Sequence, residues 1–80
     1  MKANIYLALQ TYTNEEQAVK SGHILLLLNT HGKILCKLPL GRGRYNFTLE
    51  VNDLNNLTQA LWDFQRENSW LRVEKVSASA

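Results

Sequence analysis

Apolar and polar residues alternate with a period of two along much of this chain. Over residues 2–13, Ile5, Leu7 and Leu9 fall on one side and Tyr6, Ala8, Gln10 and Tyr12 on the other. That pattern predicts a strand with an apolar face and a mixed, tyrosine-bearing face. Residues 14–20 follow, with Asn14 placed to cap free amides and Glu15 and Glu16 suited to the positive end of a short helix. A turn or two of helix, or a loop, is expected there, ended by Ser21-Gly22.

Residues 23–30 and 33–40 are two apolar runs joined by His31-Gly32, which predicts a β-hairpin. Pro39 lacks an amide proton and marks the end of the second run or an unpaired edge. Gly41-Arg42-Gly43-Arg44 supplies a second turn. Residues 45–51 alternate again, with Tyr45, Phe47, Leu49 and Val51 opposite Arg44, Asn46, Thr48 and Glu50.

After Val51 the period lengthens. Asn52 or Asp53 can serve as N-cap, and Leu54, Leu57, Leu61 and Phe64 recur at helical spacing, predicting a helix that runs to about Asn68. Residues 70–76 read as a last strand, with Leu71 and Val73 inward and Trp70, Arg72 and Glu74 outward; residues 77–80 read as a frayed end. The pattern as a whole predicts one α+β domain over residues 1–80. Its expected order is β, short α, β, β, β, α, β, an antiparallel sheet of about five strands with one principal helix on one face.

Five strands about 4.8 Å apart make a sheet roughly 24 Å wide, and one helix covers only about 10–12 Å of it. The hairpin then carries leucines on both faces. With Ile24, Leu26, Leu28, Ile34, Cys36, Leu38 and Leu40 turned to the helix, Leu25, Leu27 and Leu35 face away and can join Tyr6 in an apolar patch. Such a patch on a soluble domain marks a contact site. The alternatives are that residues 14–21 or the tail fold over it, or that the hairpin is central and buried on both sides. Left bare, the patch predicts a protein interface, most simply a homodimer through the hairpin face or an edge strand. Trp62 lies off the stripe of its helix, either as a flank packing on a loop or as an interface anchor.

Composition narrows the classes. Eighty residues, 45% of them hydrophobic, lie outside the range of disorder. The net charge of +2 does not by itself announce a nucleic-acid binder. The longest apolar run, residues 24–28, is far short of a bilayer span, and the amino terminus lacks the apolar stretch of a signal peptide, so a cytoplasmic location is expected. The lone Cys36 and two histidines show no metal-ligand spacing. Cys36 is expected inward and inert, and a ribonuclease-like set of His23, His31, Lys33 and Arg42 has nothing to fix its geometry. The expectation is therefore a non-enzyme without metal or cofactor.

What remains is docking. The leading expectation is a non-catalytic protein-interaction module using Tyr6, Leu25, Leu27, Leu35 and Trp62, with Lys33, Lys37, Arg42 and Arg44 meeting an acidic or nucleic-acid-facing groove. Size and class associate this with a phage or mobile-element inhibitor of a host defence complex, anti-CRISPR-like in kind. The alternative is a small nucleic-acid-binding antitoxin or regulator, its Gly/Arg turn and basic, aromatic sheet face holding phosphates and bases.

Overall fold

A computed structural model describes residues 1–79. The order is β1 (Lys2–Leu9), α1 (Asn14–His31), β2 (Gly32–Gly41), β3 (Arg44–Val51), α2 (Leu54–Glu67) and β4 (Leu71–Ser79). The four strands form one antiparallel sheet in the order β2-β3-β1-β4. Two β-α-β units interleaved in this way make the split βαβ, or ferredoxin-like, topology.

The sheet has four strands rather than five because residues 23–30 are helical. A single helix of 18 residues replaces the predicted short helix and first hairpin strand. Thr13, not Asn14, caps it, its hydroxyl accepting from the Glu16 amide at 3.0 Å while the Glu16 carboxylate accepts from the Tyr12 amide. This is a variant of the capping box. The helix continues through Ser21-Gly22 because Ser21 faces inward, while Gly22 has open space where a side chain would stand. Buried Ser21, Ile24 and Leu28 stand three and four apart, which is helical spacing. Leucine is also a strong helix former, and the run 24–28 holds only one β-branched residue.

Gly22→Ala should therefore stabilise the protein by about 0.5–1 kcal/mol, since alanine fits a helix interior better than glycine and meets nothing here. Urea denaturation checks this. A loss of stability would argue against an unbroken α1.

The core lies between the helices and one face of the sheet. Ala3, Ile5, Leu7 and Leu9 of β1 meet Phe47, Leu49 and Val51 of β3 and Leu71 and Val73 of β4. Ile24 and Leu28 of α1 and Leu57 and Leu61 of α2 close it from the other side. Asp53 caps α2 by accepting from the Asn56 amide, and Leu54 and Phe64 flank its buried pair as its spacing predicts. Trp70, predicted outward, instead packs edge-on against Phe64 with ring centres 5.6 Å apart, and the Lys20 ammonium lies 4.9 Å from its ring centre. The tail predicted to fray contributes Ser77–Ser79 to β4, paired with β1; Ala80 lies outside the described residues.

Two helices, each about 10–12 Å across, match a four-stranded sheet about 19 Å wide. Both helices lie on one face, leaving part of β2 exposed there, and among the described residues no helix lies on the other.

Candidate functional site

The strand register defines the uncovered face, because residues paired across an antiparallel sheet point to the same side. Its rows, read from β2 outward, are Lys33–Glu50–Lys2, Cys36–Thr48–Asn4–Ser77, Leu38–Asn46–Tyr6–Lys75 and Gly41–Arg44–Ala8–Arg72. The centre is polar and knitted by side-chain hydrogen bonds. Thr48 donates to the Asn4 amide oxygen at 3.1 Å, and the Asn46 amide donates to the Ile5 carbonyl at 3.3 Å.

On β2 the face turns apolar, with Leu38 50% and Leu40 49% exposed; Tyr6, 38% exposed, stands on β1 with Asn46 between it and Leu38. Leu40 lines a shallow depression together with Tyr6, Arg44, Glu74 and Lys75. This is not the patch that the alternation predicts: of Tyr6, Leu25, Leu27 and Leu35, Tyr6 alone takes a place in these rows.

Register explains the change. A bulge at Leu35 shifts the β2/β3 pairing between Ile34 and Cys36, and one extra residue turns the following side chains over. Ile34 points to the helices, whereas Cys36 and Leu38 lie on the open side. Cys36 is exposed, contrary to its expected inward position. Lys37, predicted outward, lies on the helical side, where its ammonium donates to the Ser21 hydroxyl at 3.1 Å and sits 5.0 Å from the Tyr45 ring centre.

Leu25 and Leu27 belong to α1 and pack half-buried against the core, so they do not meet Tyr6 across a sheet. Leu35 is exposed at the bulge on the β2 edge. Trp62 is exposed on α2, in the helical layer. Of the predicted contact residues, the open face unites Tyr6, Lys33 and Arg44. Arg42 stands at the tip of the neighbouring turn with φ +56°, a left-handed conformation. Leu38, Leu40, Arg72 and Lys75 were missed, and only the position of the bulge would have revealed the leucines.

The β2/β3 register shifts again at Leu40, and a further bulge, at Glu74 in β4, interrupts the pairing with β1. The Val73 amide donates instead to Gln65 Oε1 of α2 at 2.6 Å. Glu74 meets Arg44 in a two-pronged ion pair at 2.6 and 3.1 Å. The hydrogen bond from Arg44 holds the Glu74 carboxyl below the usual glutamate range, and the same bond raises the Arg44 guanidinium further above neutral pH.

Because the folded-state value of Glu74 is lowered, the pair's contribution is present above the ordinary glutamate pKa. It is lost as pH falls through the lowered value. Arg44→Ala should return the Glu74 titration upward toward the ordinary range, followed by carboxyl NMR. An unchanged midpoint would remove the ion pair from the account.

The residues considered for acid–base chemistry do not converge. His23 packs near Trp70, with ring centres 6.3 Å apart. His31 ends α1, and Lys33 and Arg42 stand nine residues apart along β2 and its turn, about 30 Å at strand rise. Among the described residues, no three His, Cys, Asp or Glu side chains are grouped to hold a metal ion. No helix of the described residues is long and apolar enough to cross a membrane. No protein-family model matches the chain, and no curated protein shows significant similarity to it.

Proposed function

We propose that this chain is a non-catalytic docking module that binds a protein partner through the open face of its sheet. The supporting observation is the half-exposed pair Leu38 and Leu40, the latter sharing a depression with Tyr6, on a sheet face that no helix of the described residues covers. Apolar side chains gathered on such a surface gain by leaving water, and a partner is what removes them from it. On this reading the molecule acts by occupying its target's surface, the mode of an inhibitor that a phage or mobile element would direct at a host defence complex. That narrower role rests on size and class.

The test is comparative capture from an extract of the source cells. A Leu38→Asp/Leu40→Asp variant should stay folded, because both side chains are half in water already and such exposed substitutions cost about 0.5 kcal/mol or less each. It should lose a stoichiometric protein partner that the unaltered chain retains. Leu26→Asp is the control, since Leu26 is 69% exposed on α1 in the helical layer. Equal capture by both variants would remove the open face from the function.

A second reading has one observation in its favour, the excess of cations on the same face. A nucleic-acid ligand would be held by phosphate neutralisation and released steeply by salt. Against it, Tyr6 is the only aromatic residue in the open-face rows, which leaves little for bases to stack upon.

A further inference from the structure

Charge is divided unevenly between the two sides of this molecule. The open-face rows and the β4 bulge carry Lys2, Lys33, Arg44, Arg72 and Lys75 against only two carboxylates, Glu50 and Glu74. Both carboxylates are already engaged, Glu50 by the amino terminus at 3.0 Å and Glu74 by Arg44. The helical side has the opposite balance, with Glu15, Glu16, Asp53, Asp63 and Glu67 outnumbering its cations. The net +2 of the whole chain conceals this division.

Resting on the docking reading, we infer that the partner presents an acidic protein surface with an apolar patch toward one edge, and that a second copy of this chain does not fill the site. Leu38, Leu40 and Tyr6 supply the apolar side of the contact, and Lys33, Lys2, Arg72 and Lys75 border it. Two open faces laid together would bring two cationic surfaces within about 8–10 Å, the distance over which salt does not screen them. Like charges so placed oppose association, whereas an acidic partner gains both steering and register.

A phosphate backbone fits the same cations less well. It would leave the leucines uncovered, and of the two guanidinium forks in the open-face rows Arg44 is committed to Glu74, which leaves Arg72.

The experiment is NMR shift mapping on the full chain with three probes: a short peptide alternating leucine with glutamate, its glutamine counterpart, and single-stranded oligothymidylate. The glutamate peptide is expected to move the amides of Tyr6, Leu38 and Lys75. Arg72→Glu/Lys75→Glu should weaken it by about tenfold. Equal binding of the glutamine peptide at the same amides would overturn the acidic partner and leave the docking face standing. Silence from both peptides would overturn the docking face as well. Tighter binding of the oligonucleotide, or a dimer by sedimentation that Leu38→Asp dissociates, would overturn the inference in favour of nucleic acid or of self-association.

Discussion

Leu28→Ala is expected to lower the unfolding free energy by about 2–5 kcal/mol, while Leu26→Ala changes it by about 0.5 kcal/mol or less. Leu28 is fully buried under the sheet, and Leu26, two residues earlier, is 69% exposed. Deleting the first side chain leaves a cavity where β1, β3 and the helices meet; deleting the second uncovers little. An 80-residue domain has only about 4–12 kcal/mol in hand, so Leu28→Ala removes a large fraction of it. The pair also separates the two readings of the leucine run. In a strand, residues 26 and 28 share a face and the two costs would be alike. Urea denaturation of both variants decides the matter, and similar losses would reject α1 as described.

Gly43→Ala is the second large effect, at about 2–4 kcal/mol. Gly43 closes the two-residue turn between β2 and β3 with φ +75°, next to Arg42 at +56°. Positive φ at both central positions is the turn geometry that follows the twist of paired strands. A methyl group at Gly43 would stand 2.5 Å from the Leu9 carbonyl oxygen. The turn would have to move, and with it the Gly43 carbonyl that accepts from the Leu9 amide at 2.8 Å. Gly41 has a similar φ of +87° but open space around it. Gly41→Ala should therefore show the conformational cost alone, about 1–2 kcal/mol. Thermal or urea unfolding of the two variants gives the difference. Equal losses would mean that contact with β1 contributes nothing to the turn.

Several elements were legible because local and tertiary preferences agree in them. β1, β3 and α2 each bury one clean face, so alternation in the strands and helical spacing in α2 identify both element and orientation. The 23–30 segment differs. Its leucines run without polar interruption, and a run with no polar face satisfies a period of two as well as one of 3.6. Two local signals favoured helix, the Thr13-to-Glu16 capping pair and the scarcity of β-branched residues, but Ser21-Gly22 and His31-Gly32 imitate turns. The second of these does end a helix, at Gly32, whose amide donates to the Leu28 carbonyl. The candidate site was legible only in kind. The alternation puts Tyr6 and Arg44 on the open side as the structure does, whereas it turns Leu38 and Leu40 to the core because it carries no sign of the bulge at Leu35.

The sequence by itself determined an α+β domain with an antiparallel sheet and an amphipathic second helix, because these follow from composition and periodicity within single segments. Tertiary structure alone decided that the leucine run coils and roofs the sheet, and that bulges at Leu35 and Glu74 turn Leu38 outward and bring Glu74 to Arg44. It also decided that the cations gather on one side. The physical reason is that the face a strand residue shows depends on its register with a neighbour distant in sequence, and one added residue reverses it.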